Sequence, residues 1–568
     1  YKRICIRIAS YVLILDVLTG QNIPVPMNHP INDFILRLYT QNIIHEIHPG
    51  MRPFSVNQIN QVLDEVSSTD QQLSTREKSL VLRFKKEFAV NEIKQGLKGP
   101  WQSKHISTAV HTIFKPFDTN DTETRFLSYH DDDLLMWTDW EEFFAMDFQD
   151  TLSRSSFTDR VTISGKFDNN LSFYSRYTLY RVSQTENLPL PDEYKQGYVL
   201  EEDNTDWLVW DVSEASIRFD NSIINAEISK IPIYWGFSKK HSPILSTHVQ
   251  SFSFIRFSKE YKRIRAQSFL GSLVPYGDNR KGIIEEKHIA AHRFEFDLTP
   301  SLTVSFNEMV IYARQNIELG YLLPVNLLWS EEHGLGNRDN VLMSFDAQWS
   351  VKPGLSLYGT FFWDELSWFK LFSPWWGNKF IFQSGFHWVP FSNPQLPDFR
   401  VEFTASRPWV YTHQDSLLNY TSAAHGLGFP IGPNAQMFYL EMNMWPTFKT
   451  FLSLNVTYLK KGTEMGSDPN DNYSLRNEEL DDKTPMLMGK RNERLDVGLK
   501  IEFRMTESLF TKEDIADNDE TLLAGEYIEY ITKDKDLDYV GRWKFKAKLE
   551  FSSTDIRQTD YQKFRVLS

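Results

Sequence analysis

From about residue 156 to the end of the chain, apolar and polar positions alternate with a period of two. Leu495, Val497, Leu499, Ile501 and Phe503 alternate with Arg494, Asp496, Gly498, Lys500 and Glu502. Trp543, Phe545, Ala547, Leu549 and Phe551 alternate with Lys544, Lys546, Lys548 and Glu550, and Leu452, Leu454, Val456 and Tyr458 with Ser453, Asn455 and Thr457. The pattern recurs near 171–180, 292–298, 302–307, 341–349 and 399–406. A period of two is that of a strand with one apolar and one polar face.

In a soluble sandwich the apolar face is buried and the polar face is wet. In a membrane barrel the apolar face meets lipid and the polar face lines the lumen. Strand length and number favour the second arrangement. The runs often reach about nine residues, as membrane strands must, and number about sixteen to eighteen, in keeping with the even counts of bacterial barrels. Short turns such as Asp168-Asn169-Asn170 and Lys352-Pro353-Gly354 join some runs, and long aromatic-rich segments join others. That asymmetry fits short periplasmic turns and long external loops. The expected fold is an all-β transmembrane antiparallel barrel of about 18 strands over 156–568, preceded by a small α-helical bundle.

The bundle is read in residues 21–95. Ile31, Phe34, Ile35 and Leu38 follow the i, i+3, i+4, i+7 spacing of one helix face. Ser55 with Gln58 and Ser74 with Glu77 match the capping box that opens a helix. The apolar stripes Val56, Ile59, Val62, Leu63 and Leu80, Val81, Phe84, Phe88 follow these caps. Pro49 and Pro53 separate the first two helices. Residues 96–155 read as a connecting segment; Asp131 to Asp133 lack the spacing and glycine of a calcium loop. In 1–20, Lys2, Arg3 and Arg7 precede an apolar run from Ile8 to Leu18, the order of an export signal.

Composition narrows the picture. Hydrophobic residues make up 41% and mean hydropathy is −0.42, too polar for a bundle of membrane helices. Aromatics reach 14%, a level shared by membrane barrels with interfacial girdles and by soluble carbohydrate-binding β proteins. Cys5 is the only cysteine, which excludes disulfides, thiol catalysis and cysteine metal sites from the rest of the chain. A net charge of −14, with no basic stretch interleaved with aromatics, argues against nucleic acid as a partner. No HExxH, P-loop or Gly-x-Ser-x-Gly elbow is present, so no soluble-enzyme site is read, and no metal or cofactor is expected. A hydrolase triad in a barrel wall would leave no local motif and stands as the lowest-ranked alternative.

Three long connections carry candidate chemistry. The first, 314–340, holds Trp329, Asn337, Arg338 and Asp339; the second, 366–379, holds Trp368, Trp375, Trp376 and Asn378; the third, 407–434, holds Arg407, Trp409, Tyr411 and His413. Flat aromatic rings beside planar, bidentate polar groups are what recognition of a sugar ring and its paired hydroxyls requires. The same aromatics suit membrane interfaces, and the same charges can simply hold loops together. Arg314, Arg338 and Arg407 are the candidates for meeting an acidic glycan.

At these loops the chain resembles the capsule assembly Wzi family of outer-membrane proteins. The resemblance is carried by Ser305-Phe-Asn-Glu-Met-Val-Ile-Tyr312, Ile317-Glu-Leu-Gly-Tyr-Leu-Leu-Pro324 and Glu332-His-Gly-Leu-Gly-Asn-Arg-Asp-Asn340. Pro374-Trp-Trp-Gly-Asn-Lys-Phe380, Arg407-Pro-Trp-Val-Tyr-Thr-His413, Gly428-Phe-Pro-Ile-Gly-Pro-Asn434 and Pro26-Met-Asn-His-Pro-Ile-Asn-Asp-Phe34 are similar as well. It implies a barrel of about eighteen strands with a periplasmic helical bundle near its mouth. It also implies a non-enzymatic, lectin-like role: holding capsular or other surface polysaccharide at the cell surface. The partners it implies are that polysaccharide, outer-membrane lipid, and the barrel assembly machinery during biogenesis. A diffusion porin is the alternative reading of the same pattern.

Overall fold

A computed structural model describes residues 22–68, 73–88, 101–102, 127–130, 133–149, 152–167, 170–183, 200–201, 207–275, 286–365, 367, 369–371, 373–448, 450–504 and 542–552. The expected export signal and Trp368 lie outside the described residues. Three helices open the described chain: α1 (Pro30–Thr40), α2 (Val56–Ser68) and α3 (Thr75–Phe88). Both capping boxes form. The Ser55 N–H donates to the Gln58 side chain at 2.9 Å and the Gln58 N–H to Ser55 Oγ at 3.2 Å. Ser74 and Glu77 repeat the exchange at 2.9 and 3.3 Å. Each box satisfies orphan amides of the first turn. The apolar stripes then meet: Ile31, Phe34, Ile59, Leu63, Leu80 and Phe84 are fully buried together.

Apart from two short pairings, 51–52 with 234–235 and 421–422 with 425–426, the strands form one sheet, which also takes in the two-residue strands Trp101–Gln102 and Leu200–Glu201. Its longer strands are β1 (Leu127–His130), β2 (Leu134–Gln149), β3 (Leu152–Phe167), β4 (Leu171–Ser183), β5 (Trp207–Asp220) and β6 (Asn225–Lys230). After them come β7 (Ser253–Tyr261), β8 (Ile264–Leu273), β9 (Lys287–Thr299), β10 (Leu302–Tyr312), β11 (Asn340–Lys352) and β12 (Leu355–Glu365). The last are β13 (Lys379–Trp388), β14 (Asp398–Ser406), β15 (Ala435–Thr447), β16 (Thr450–Gly462), β17 (Arg491–Arg504) and β18 (Arg542–Ser552). Sixteen of them, β2 to β17, pair neighbour to neighbour and antiparallel. The free edge of β2 is shared: β1 pairs antiparallel with 135–138, and β18 pairs parallel with 141–144. No helix among the described residues is long and apolar enough to cross a membrane.

The sheet begins earlier than the alternation suggests. β2 falls inside the stretch read as a connecting segment, although Asp139, Glu141 and Glu142 interrupt its apolar positions. Asp139 and Glu141 are tolerated because their face looks into a polar interior, where Glu141 meets Arg160 of β3 at 3.2 Å; Glu142 lies on the opposite face.

Burial along the strands is inverted relative to a protein whose sheet faces water. On β14, Asp398, Arg400, Glu402 and Thr404 are buried, whereas Phe403 between the last two is 40% exposed. On β15, Glu441 and Asn443 are buried and Phe438 is 43% exposed. Polar side chains therefore point inward and apolar ones outward, as in a membrane barrel. The inward charges are paired. Arg293 donates to Glu295, Asp346 and Asn307 at 2.6 to 3.1 Å, and Arg256 meets Glu227.

What fills the interior is the chain itself. The helical unit sits at the short-turn end, where Gly354 N–H donates to the Thr40 carbonyl at 2.8 Å and Arg37 donates to the Phe391 carbonyl and to Asp398. Trp445, fully buried, packs its ring edge-on against Phe34. From the long-loop end, residues 231–252 run inward, and Tyr234–Trp235 pairs antiparallel with Met51–Arg52. Arg52 lies over the Tyr234 ring at 4.0 Å and donates to the Ser238 and Lys239 carbonyls. Lys239 then joins three parts of the molecule: its ammonium meets Asp33 of α1 at 2.5 Å and Glu441 of β15 at 2.7 Å, while its N–H donates to Glu402 of β14 at 2.9 Å. A cavity of about 140 Å³ remains between the helices and the wall, with Glu141, Arg160, Arg176 and Lys500 in its lining.

Removing the Lys239 ammonium takes the ion-pair partner from Asp33 and leaves Glu441 with Arg400 at 3.8 Å and the Tyr439 hydroxyl at 3.1 Å; breaking a buried pair from one side costs about 3–5 kcal/mol. Lys239→Met is expected to speed amide hydrogen exchange in α1 by about two to three orders of magnitude while the strands stay protected. Unchanged exchange in α1 would show that the helical unit is held without this ammonium.

Candidate functional site

The long-loop end is closed before it is decorated. Residues 407–434 fold over the mouth and bind the inward segment 231–252 beneath them. The buried Tyr411 hydroxyl donates to the Pro243 carbonyl at 2.6 Å and accepts from the Phe429 N–H at 2.9 Å. The Tyr420 hydroxyl donates to the Ile244 carbonyl at 2.7 Å, and the Ser246 N–H donates to the Leu427 carbonyl at 2.9 Å. The Tyr411 N–H reaches Asp364 at the end of β12, at 2.9 Å.

Above this lid, two other loops, 366–378 and 463–490, are stitched edge to edge. The Trp376 N–H donates to the Asp481 carbonyl and the Thr484 N–H to the Pro374 carbonyl, both at 2.7 Å. Their side chains make a row of rings. Trp375 and Trp376 stand 6.1 Å apart, Trp376 and Tyr473 5.4 Å, and Tyr473 and His413 5.6 Å. Cations lie among the rings: the Arg476 guanidinium is 3.9 Å from the Trp376 centroid and the Lys379 ammonium 3.8 Å from that of Tyr473. Such contacts fix ring orientation and add about 0.5–2 kcal/mol each. The counter-charges are close: Arg476 pairs with Asp481 at 2.9 Å, Lys370 with Asp482 at 2.9 Å and Lys379 with Glu365 at 3.1 Å. Trp375, Trp376, Tyr473, Arg476 and His413 all keep part of their surface open to solvent. The arrangement is a half-open aromatic platform edged by both signs of charge.

The candidates divide among three environments. Trp375, Trp376 and His413 belong to the platform. Asn378, Arg407, Trp409 and Tyr411, expected among the glycan contacts, are buried and committed to the loop framework. Asn378 donates to the Lys370 carbonyl at 2.6 Å, and Arg407 donates to the Asn378 and Trp375 carbonyls at 3.2 and 2.9 Å. The Trp409 N–H donates to the Gly466 carbonyl at 2.9 Å, and a side chain at Gly466 would strike the Trp409 ring. Trp409 and Tyr411 both adopt positive φ, 68° and 71°; the Trp409 ring packs against Gly466 of 463–490 and the Tyr411 ring reaches Pro243 beneath the lid.

Trp329, Asn337, Arg338 and Asp339 lie elsewhere, in a loop with two short helices, α4 (Leu319–Leu322) and α5 (Leu328–Gly334), that packs on β10. Asn337 and Arg338 are exposed, and Asp339 accepts from Arg314 and from the Tyr321 hydroxyl. Arg314, a candidate for an acidic glycan, is occupied by Asp339 and by Glu318 at 3.0 Å.

Tyr473, Arg476 and Lys379 escaped the sequence reading. Residues 463–490 are dominated by polar side chains, and only the spacing of Tyr473 and Arg476 after the Asn472 cap hints at a built turn. Among the described residues, no three His, Cys, Asp or Glu side chains converge as a metal site requires.

No family model and no curated protein matches the chain. Solved structures do resemble it. The Escherichia coli outer-membrane protein Wzi, described as a carbohydrate-binding β-barrel involved in group 1 capsule assembly, matches at 12% identity with a TM-score of 0.50. That match covers 86% of this chain and 92% of Wzi. Acinetobacter baumannii OccAB4 matches at 10% identity and a TM-score of 0.36, over 67% of this chain and 90% of that one. Pseudomonas aeruginosa OpdK, solved with vanillate, matches at 9% and 0.36, over 66% and 88%. At these identities the likeness to Wzi is one of fold: this chain has the fold of an outer-membrane β-barrel protein.

Burial, and then the nearby positive charge of Lys379, hold the His413 imidazole below its ordinary value of 6.5. The folded loop therefore takes up its proton later than the unfolded chain. The stability this contributes is complete above the unfolded value and is lost as pH falls below it. An NMR titration of the His413 ring is expected to show a midpoint below 6.5 that rises in Lys379→Gln. A midpoint at or above 6.5 would place the ring in open solvent.

Proposed function

We propose that the sheet closes as a transmembrane barrel of about eighteen strands in the bacterial outer membrane and binds capsular or other surface polysaccharide at its external loops. No bond is made or broken. Support for closure comes from the edge of β2, which β18 joins in parallel after pairing antiparallel with β17, while β1 takes the other half of that edge. Support for the membrane comes from exposed apolar side chains on the strands alternating with buried charges, a surface that only lipid solvates well. The helical unit then lies at the periplasmic end, and the barrel assembly machinery would insert the chain after its export signal is removed.

The observation that carries the binding role is the row of Trp375, Trp376 and Tyr473, half-open and bordered by Arg476, Lys370, Asp481 and Asp482. Ring faces of this kind stack on the C–H faces of sugars, and the charged border meets hydroxyls in pairs. Wzi, of similar fold, is described as carbohydrate-binding and involved in capsule assembly, which is consistent with the reading. The porin alternative is disfavoured because the helical unit and residues 231–252 occupy the interior.

The test is binding of the detergent-folded chain to polysaccharide extracted from its host's surface. Saturable binding that is lost in the Trp375→Ala/Trp376→Ala variant is expected. Truncating stacked rings at a central contact typically costs about 2 kcal/mol or more each, so binding falls by at least about thirtyfold. Binding that survives the double variant would remove the platform as the site, and an absence of binding by the parent chain would overturn the role.

A further inference from the structure

We infer that residues 313–339 form an interfacial anchor on the outside of the wall, with one face on the strands and the other in the acyl chains of the outer leaflet. The inference rests on the membrane reading of the sheet, and the test below separates the two.

Alternation fixes which side of the wall the loop occupies. On β10, Ser305, Asn307, Met309 and Ile311 face the lumen, so Glu308, Val310 and Tyr312 face outward. Val310 and Tyr312 nevertheless are fully buried, in an apolar cluster with Leu270, Ala290, Tyr321 and Leu328 that is separate from the main core. The covering groups are α4 and α5. Outward polar residues are covered with it: Glu308, opposite His292 in the register, is buried and accepts the Leu328 N–H at 3.3 Å. His288 lies 3.2 Å from the Arg314 carbonyl. The wall carries polar groups outward here because the loop shields them.

The far face of the same loop is also apolar. Val325 is 88% exposed, Leu319 71% and Trp329 50%, and Ile317, Leu323 and Leu327 are exposed with them. A helical segment apolar on both sides belongs in apolar surroundings, and a cluster of exposed large side chains marks an interaction surface. Several of the loop's polar groups are turned on one another, while Gln315, Asn316, Ser330, His333, Asn337 and Arg338 stay exposed, which places them in the headgroup layer. The Tyr321 hydroxyl donates to Asp339 at 2.8 Å, and Asn326 donates to the Gly320 carbonyl at 3.1 Å and to Glu331 at 2.9 Å. That is the internal satisfaction a segment in lipid requires.

Position and continuity identify lipid as the occupant. Down the same outward files lie Phe345 and Trp349 of β11 and Phe296 of β9, all exposed. The apolar band of the wall thus continues without a break onto the loop. Covering β10 from residue 308 to 312 takes about 13 Å of strand, or about 9 Å of depth at a tilt of about 45°, the thickness of the interfacial zone. Trp329 at that level sits where indole rings collect at membrane interfaces. Its partner is therefore acyl chain and headgroup, and the glycan platform loses nothing by its absence.

The test uses the full chain carrying Cys5→Ser, with one cysteine introduced at Val325, Leu319, Phe403 or Glu479 and labelled with an environment-sensitive fluorophore. Each variant is reconstituted into vesicles with and without lipid bearing a nitroxide near the headgroup end of its acyl chain. Val325→Cys and Leu319→Cys are expected to lose most of their emission, as Phe403→Cys does on the wall, while Glu479→Cys in the outer loops is unaffected. Quenching at Phe403 without quenching at Val325 or Leu319 would overturn the anchor and leave the barrel standing. Quenching at none of the three would overturn the membrane reading and the anchor with it.

Discussion

An inward face built of charge needs partners, and most of the structure follows from how they are supplied. β14 and β15 turn Asp398, Glu402 and Glu441 toward the lumen, where water-filled barrels would leave such groups solvated. Here they are buried, and a buried carboxylate is costly unless it is paired. The Lys239 ammonium between Asp33 and Glu441, with Arg37 on Asp398, provides the pairing. These cations belong to residues 231–252 and to α1, so satisfying the wall draws one loop down from one end and docks the helices at the other. Arg293 with Glu295 and Asp346 pairs the charges of the neighbouring wall, under Gly50 and the Phe237 ring of the plug.

Filling the lumen moves function to the rims. With the interior occupied, the surfaces left for recognition are the loops beyond the strands and the outside of the wall. The lid of 407–434 matters mainly as a floor: Tyr411 and Tyr420 tie it to 231–252, and on that floor 366–378 and 463–490 hold their rings at fixed spacing. Preorganised rings bind with less ordering cost than mobile ones, and the cations seated at Trp376 and Tyr473 serve that end. The loop 313–339 goes the other way, over the outer face, and its aromatic residue answers to a different solvent.

How much of this was legible depends on how local each cause is. Alternation in 491–503 and the capping boxes at Ser55 and Ser74 are written in neighbouring residues, and those strands and helices form where expected. β2 reads as a connection because Asp139 and Glu141 look like loop residues until Arg160, on the next strand, is placed beside Glu141. The descent of 231–252 was invisible, since its reasons are Asp33 and Glu441, some two hundred residues away on either side. At the site, the Trp375-Trp376 pair was recognisable by type. Trp409 and Tyr411 are the same types, yet positive φ and partners in other loops turn them inward. Tyr473 and Arg476 carry no local mark beyond the turn after Asn472, because a cation over a ring is an arrangement of two loops.

The central claim is that the chain fills its own lumen, so that binding at the rim, and not passage through the wall, is its work. Ion current through a planar lipid bilayer containing the purified intact chain tests this most directly. The account predicts no steady open level of porin size, with at most small and transient openings. A stable, large conductance from the intact chain would contradict it, and would mean that the helices and residues 231–252 do not occupy the pore in a membrane.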